Sequence, residues 1–553
     1  MKNAPHFFIS AALGILLTGQ MAVADNLVSN GSAEQVAANG APEGWGLYVG
    51  AGKMTFTASL EEKRTGERAA CLELAAWHTP KDAADAEANR SVSGAILLAP
   101  NNGYSAVGAL ECVPGTTYVY SFWFKGSVPS ASVSVTDWPS AEADHTQRVH
   151  HAVTGGTLRP SSTWQRCTGT FRIQEGIHRF ALMIHASGKQ RDGFTLGKLY
   201  VDDAEIKAKG YPDGELRGIW CGLPKAQKRE EGLREIQETL DRLKASGFNT
   251  LFVWTSSLYL AALDRPQLQE ADPQATWDAL GEVIRAATER KLQVHVWYSP
   301  WIYKQTSRAV ELRDHPDWAA VSAKGTADKE GICFARPDGR QFELDLLGKL
   351  IDRYPDLAGI HIEEPGYNWG EDYCFCDHCQ QLCHQWFGLD PHKDPDVAKP
   401  TLHNLAAFMG TDFMAQLRQL VMAKRPELWL SANGSGGDNP DWYIGRDWTT
   451  WARRNYLDFY VPQLYTQSPD AFGQQATKTK ARLGDCDLIT GMAVSWSGIY
   501  PARQDSKVIQ AEIAAARRLG AKGFVLFHLD HFQDEYFQAI HESFRGRVIE
   551  PTK

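Results

Sequence analysis

The chain has 553 residues, more than one hydrophobic core usually organises, so two or more domains are expected. Its composition, 43% hydrophobic and 22% charged, is that of a globular protein rich in aromatics, with 18 Trp, 18 Tyr and 23 Phe. The net charge of −9 is spread along the chain without a long basic run, which excludes the basic face that a nucleic-acid partner needs.

The first 24 residues read as a cleavable signal peptide. Lys2 supplies the positive start, residues 7–17 a short apolar core, and Ala22-Val23-Ala24 the small residues of a cleavage site before Asp25. The apolar run is too short to span a bilayer, and no other stretch is long and apolar enough to do so. The expected product is a secreted or periplasmic protein without a membrane span.

From 25 to 208 the pattern is short and alternating. TYVYSFWFKGS (117–127) and KLYVDDAEIK (198–207) show period-two segments bounded by Gly, Pro or Ser, which predicts an all-β sandwich. The opening NLVSNGSAEQ…APEGWG and the closing VDDAEI resemble the jelly-roll carbohydrate-binding modules that often precede secreted glycosidases. That resemblance implies sugar stacking for some of Trp45, Trp77, Trp123, Trp138 and Trp164, although most of them would serve equally as core. It also implies a structural calcium, for which Glu34 and Asp202 are the oxygen-ligand candidates.

KGYPDGE (209–215) reads as a linker, and the rhythm then changes. Over 216–548, eight strand-like runs alternate with helical patterns: 218–222, 250–256, 293–301, 359–364, 428–434, 458–465, 488–496 and 523–532. EEGLREIQETLDRLKASG (230–247) is typical of the segments between them, with apolar positions at helical spacing and Gly247 as a stop. Eight such units predict a (β/α)8 TIM barrel. A doubly wound sheet is the alternative, but the unit count and the lack of a Gly-rich phosphate loop weigh against it.

Active sites of such barrels lie at the strand C-termini. The first four strands end in Trp220 and Cys221, Trp254 and Thr255, Tyr298 and Trp301, and Glu363 and Glu364. The later four present Asn433 and Asp438, Gln463 and Tyr465, Trp496, and His528, Asp530 and His531. Aromatic faces stack on sugar C–H surfaces, while amides and acids bind hydroxyls. Trp254, Trp301, Tyr367, Trp369, Tyr465, Trp496 and His528 are therefore expected to shape sugar subsites, with Asn433 and Gln463 binding hydroxyls. The mouth lacks the basic clamp that a phosphate substrate calls for.

Glycoside hydrolysis usually needs an acid for the leaving oxygen and a second carboxylate. Glu363 and Glu364 end strand four, and in an extended strand they point to opposite sides, with His361 sharing the face of Glu363. GIHIEEPGYNW followed by CFCDHC is similar to the strand-four region of clan A glycosidases, above all the family 42 β-galactosidases. That match implies Glu364 as acid/base, with Glu363 in the place of an Asn. GIHIE (359–363), VPQLYTQ (461–467) and GFVLFHLDHF (523–532) also resemble the glycosyl hydrolase-like family 10 barrels, an alignment that favours Glu363. Strand seven ends AVSWSG, without the acid that clan A places there, so Asp530 and Asp438 become the candidates for the second carboxylate.

Cys374, Cys376 and Cys379 have the spacing of thiolates that converge on one zinc. The family 42 resemblance draws a fourth ligand from an upstream loop, where Cys333 lies. A four-cysteine site is closed, so such a zinc would be structural. His378, Cys383 and His384 are alternative ligands, and disulfides are the alternative chemistry for an exported chain. The reading that unites these features is a glycosidase acting on a poly- or oligosaccharide. Its rivals are a barrel that binds glycans without cleaving them and a polysaccharide deacetylase or lyase on the same fold.

Overall fold

The computed structural model describes residues 26–545 apart from 81–88, 227, 266–275, 301–311, 313–314, 368–371, 439–440 and 496–502. The stretch read as a signal peptide lies outside the described residues, as do Trp301, Trp369 and Trp496. The chain divides into two compact units, Met1–Gly210 and Tyr211–Lys553. No described helix is long and apolar enough to cross a membrane.

The first unit is a sandwich of two antiparallel sheets. One sheet runs β1 (Gly46–Ala51), β4 (Ser91–Leu97), β10 (Arg179–Lys189), β7 (Ala131–Trp138) and β8 (Val149–Leu158), with the short β5 (Leu110–Glu111) also on β10. The other runs β2 (Lys53–Ser59), β3 (Ala69–Ala76), β11 (Lys198–Lys209), β6 (Thr117–Gly126) and β9 (Gln165–Arg172). The period-two pattern decides what is inside: Tyr118, Tyr120, Phe122 and Phe124 of β6 all enter the core. Trp123, between them in sequence, faces the other way, where the Arg64 guanidinium lies 3.9 Å from its ring centroid. Trp45 and Trp138 are buried, so they are core residues and not sugar platforms.

The calcium expectation finds no support. Asp202 accepts hydrogen bonds from the amides of Arg64, Thr65 and Asp203 at 2.8–3.2 Å, and Glu34 accepts from those of Glu67 and Arg68 at 2.8 and 3.1 Å. These carboxylates pin turns, and no group of three or more metal-type ligands forms around them among the described residues.

The second unit is a closed parallel barrel. Its strands, in order, are β12 (Leu216–Cys221), β13 (Thr250–Thr255), β14 (Gln293–Tyr298), β17 (Gly359–Ile362), β18 (Trp429–Gly434), β19 (Phe459–Pro462), β20 (Asp487–Ala493) and β21 (Gly523–Phe527). A two-stranded ribbon, β15 (Ala319–Val321) and β16 (Ala327–Ile332), interrupts the series after β14. The described helices that alternate with the strands are α1 (Arg229–Ala245), α2 (Ser257–Asp264), α3 (Ala279–Glu289), α4 (Pro337–Arg353), α5 (Asp377–Phe387) and α6 (Pro395–Lys424). After them come α7 (Trp448–Arg453), α8 (Pro469–Leu483), α9 (Ser506–Arg518) and α10 (Asp534–Arg545). Several start on an acid or hydroxyl that accepts an orphan amide, as Asp278 does from Gly281 and Ser468 from Ala471.

Alternation along each strand separates two apolar layers. Trp220, Phe252, Trp297, Trp429, Phe459 and Val525 fill the barrel interior, whereas Cys221 and Tyr298 belong to the layer between strands and helices. The strand-end reading is corrected there: strand three offers the mouth Trp297, and Tyr298 instead donates its hydroxyl proton to the buried Glu343. The floor is closed by Tyr211, stacked on Trp429 at 4.9 Å, and by the two-pronged ion pair of Arg517 with the buried Glu215 at 2.8 and 2.9 Å.

Interior packing leaves little room. A Cβ at Gly359 would sit 2.3 Å from Nδ1 of His295, its partner across the β14–β17 pairing. Gly359→Ala is expected to destabilise the barrel by about 1–3 kcal/mol. Chemical denaturation of the two chains checks this, and an unchanged midpoint would mean that the interior yields freely.

Candidate active site and cysteine centre

The two glutamates part company at the end of β17. Glu363 continues the inward alternation of His361 and is 4% exposed at the top of the barrel interior. Glu364 turns into the left-handed region (φ 34°), a conformation unfavourable for a residue with a side chain. Two groups hold it there. Its amide donates to Oδ1 of Asn433 at 2.8 Å, and its carbonyl accepts from Nη2 of Arg446 at 3.1 Å.

The Asn433 carboxamide on β18 joins both acids. With Oδ1 taken by the Glu364 amide, Nδ2 faces Glu363 and donates to its Oε2 at 2.5 Å. The Trp297 indole N–H donates to the same oxygen. Oε2 therefore takes both donors, which leaves Oε1 to carry a proton. Burial, followed by the negative charge of Glu364, pushes the Glu363 carboxyl up to about 8, against the opposing pull of the Trp297 and Asn433 hydrogen bonds. Asn433, expected at a sugar hydroxyl, is 1% exposed and serves the glutamates instead.

Behind Glu364 lies a buried charge network. Arg446 reaches Oε2 of Glu364 at 3.4 Å and Oδ2 of Asp441 at 3.2 Å, and Asp441 also accepts from the Ser435 amide at 3.2 Å and from the Ser435 hydroxyl. The strand-end reading missed three residues here. Trp297 was accessible by counting two back from the strand end, as His361 was. Arg446 and Asp441 sit in the irregular segment after β18, where no periodicity marks them.

The remaining expectations divide. Trp254 meets Trp297 edge to face at 4.6 Å, and His528 lies against the same indole with ring centroids 6.1 Å apart. Burial pushes the His528 imidazole down to about 4 and keeps it neutral at pH 7. Tyr465 packs on Phe527 at 5.8 Å, and the half-buried Gln463 bridges to Gly491 on β20. The proposed partner acids do not join Glu363. Asp438 is exposed and ion-paired with Lys478 at 2.5 Å and Arg482 at 3.1 Å. Asp530 pairs with Lys225 at 3.1 Å beside Cys221, whose side chain faces outside the barrel wall. Long cationic side chains within reach of these exposed acids claim them. Tyr367, expected against sugar, is 4% exposed, stacked on Phe334 at 4.1 Å, with its hydroxyl 3.5 Å from the sulfur of Cys333.

Cys333, Cys374, Cys376 and Cys379 converge below that tyrosine. All are buried, and their sulfurs lie within 4.8 Å of one another, with Cys333 at 3.5 Å from Cys379 and 3.6 Å from Cys376. No pair is bonded, and none of the ten cysteines forms a disulfide. A tetrahedral ion with metal–sulfur bonds of about 2.3 Å requires sulfur separations of about 3.8 Å, so the four residues fit a metal. Cys383, an alternative ligand by sequence, is buried but outside this group. The centre ties the β15–β16 ribbon to the start of α5, since Cys374 also accepts the Val321 amide at 3.3 Å.

Together these features define a (β/α)8 barrel whose mouth holds a buried carboxyl beside a second glutamate. The family model for glycosyl hydrolase-like 10 matches residues 215–499, and the chain belongs to that family. No curated protein matches it. Among solved structures it is similar to α-L-fucosidase isoenzyme 2 from Paenibacillus thiaminolyticus, at 15% identity and TM-score 0.45 over 60% of this chain and 48% of that one. It is similar to the β-galactosidase of the psychrophilic Marinomonas ef1, at 12% identity and TM-score 0.45 over 59% of this chain and 58% of that one. It is also similar to the CBM22-1 and GH10 modules of a Clostridium thermocellum endo-1,4-β-D-xylanase, at 13% identity and TM-score 0.33 over 94% and 97% of the two chains. The chain thus spans about half the length of the fucosidase.

The geometry of the cysteine centre makes a checkable demand. Purified protein is expected to carry one equivalent of a thiophilic divalent metal. Cys333→Ser is expected to lose it and to melt at a distinctly lower temperature, because the ion crosslinks two loops. Elemental analysis with thermal unfolding tests this; metal-free protein of undiminished stability would refute it.

Proposed function

We propose that the barrel is a glycoside hydrolase in which Glu363 is the general acid. The carrying observation is a carboxyl raised to about 8, hence protonated at neutral pH, whose Oε2 is saturated by Trp297 and Asn433 so that its proton is presented from Oε1. The family 42 resemblance would give this role to Glu364. The burial of Glu363 and the commitment of Glu364 to Arg446 support the family 10 alignment instead. Glu364 is the carboxylate whose charge bears on Glu363, and in this reading it stabilises positive charge developing on the sugar ring. Trp254, Tyr465, His528 and Gln463 line the sugar's path. The substrate is a poly- or oligosaccharide, the metal at the four cysteines is a structural zinc, and the N-terminal sandwich is a sugar-binding module. The N-terminal apolar stretch supports export to the periplasm or beyond.

Glu363→Gln is expected to lower turnover of a susceptible polysaccharide by about 10²–10⁴-fold. Wild-type activity should fall as pH rises through about 8, because only the protonated acid donates. The same shift is a stability statement. The folded state holds this proton more tightly than the unfolded one, so the contribution is full below the ordinary value of 4.5 and is lost as pH rises through about 8. Melting curves of wild type and Glu363→Gln should diverge across that window. Unchanged turnover in the variant on a broad glycan panel would remove the assignment. A binding-only barrel, which the strand-seven end without an acid favours, would then show retained glycan affinity.

A further inference from the structure

A second cleft opens on the far side of the Arg446 network. It encloses about 380 Å³, within the range of small-molecule sites of about 300–1,000 Å³. Its lining comes from α6 (Asn404), the short turn Asp441–Ile444 (Asp441, Trp442), the residues that lead into α7 (Arg446, Asp447) and α8 (Arg482). Neither Glu363 nor Glu364 lines it, so it is a site separate from the mouth, with a single guanidinium between the two.

The chemistry of the lining selects a ligand class. Two carboxylates and two guanidiniums cancel, so an anion is opposed by Asp441 and Asp447 and a cation by Arg446 and Arg482. A lipid chain would bury all four charges without compensation. A neutral polyol has hydroxyls that donate to carboxylates and accept from guanidiniums, and so it satisfies both sets. The charged groups are already held in place. Asp447 caps α7 through the Thr450 amide and hydroxyl, and Arg482 pairs with Asp438. Asp441 is fully buried, and its Oδ1 has no partner among the described residues.

One exposed aromatic ring, that of Trp442, lines the cleft, and two more stand on the neighbouring helices α5 and α6. Trp442 is 38% exposed at the cleft. One helical turn on from Asn404, Phe408 is 58% exposed, and its ring lies 6.0 Å from that of Trp386, itself 50% exposed. Exposed aromatic faces beside a balanced polar floor match the amphipathic surface of a pyranose ring.

We propose that this cleft is a second carbohydrate-binding site, taking neutral pyranose units of an oligosaccharide, with Trp442 as its stacking platform and the Phe408–Trp386 shelf as its extension. The site does not depend on the barrel being hydrolytic.

Calorimetry on the full chain tests it, with Glu363→Gln as background so that the probes stay intact, and with cellohexaose, chitohexaose and xylohexaose as probes. At least one probe is expected to bind, and adding Trp442→Ala should remove one binding event per chain or weaken its Kd at least tenfold. Binding by the N-terminal sandwich persists as a residual event untouched by that change. Asn404→Ala, at a solvent-facing position, serves as the second variant if Trp442→Ala melts early. No binding by any probe, or stoichiometry and Kd unchanged in both variants, overturns the proposal. Concentration-dependent dimerisation abolished by Phe408→Ala without any effect on sugar overturns the extension along the shelf and assigns it to a second copy of the chain. If wild type turns over nothing on the broad glycan panel yet loses probe binding with Trp442→Ala, hydrolysis fails as a reading and the second site stands.

Discussion

One carboxamide, that of Asn433, holds the end of β17 in two directions at once. Its oxygen takes the Glu364 amide and its nitrogen takes Oε2 of Glu363. Neither bond would be formed if the other reversed the amide, so orientation of the group is set by the pair. The consequence is a backbone bend at Glu364 that a side chain ordinarily resists, and a Glu363 that stays in the dry interior beneath the mouth. Two neighbouring residues of one type thereby acquire opposite surroundings, one apolar and one ionic.

That arrangement is costly by itself. Three ionisable side chains, Glu364, Arg446 and Asp441, sit together with little access to water, and burial of charge is tolerated only when partners and hydrogen bonds compensate. Arg446 supplies the compensation by bridging two carboxylates and a carbonyl. Its position also bears on the proposal that Glu363, and not Glu364, acts as the acid. The guanidinium offsets the charge of Glu364, while burial of Glu363 penalises its ionised form by more than the Trp297 and Asn433 hydrogen bonds favour it. The same guanidinium forms a wall of the cleft behind it, so mouth and cleft share one rigid element.

The cysteine centre answers a mechanical need of the same region. The segment after β17 leaves the barrel through irregular loops that have few ladder hydrogen bonds. Four buried sulfurs, Cys333 from just after β16 and the other three from the segment that leads into α5, give that region a core of its own, with Tyr367 stacked on Phe334 and Tyr373 beside them. Tyr367 is spent on this packing, which is why it is lost to the sugar.

The architecture was legible in the sequence because it rests on local periodicity. Period-two runs marked the sandwich, eight alternating runs marked the barrel, and strand endings pointed to Glu363 and Glu364; the C-x-C-x2-C spacing marked three of the clustered sulfurs, and the family 42 resemblance pointed to Cys333 as the fourth. Contacts between segments distant in sequence were not legible. Which glutamate is buried was decided by Asn433, 70 residues from Glu363, and by Arg446, 82 residues from Glu364. Asp438 and Asp530 looked available from their positions after strand ends, and only folding brought Lys478, Arg482 and Lys225 onto them. A strand's alternation is a property of its own residues, whereas a carboxyl's proton affinity is a property of what the rest of the chain places around it. The first could therefore be read from the sequence, and the second belonged to the tertiary structure.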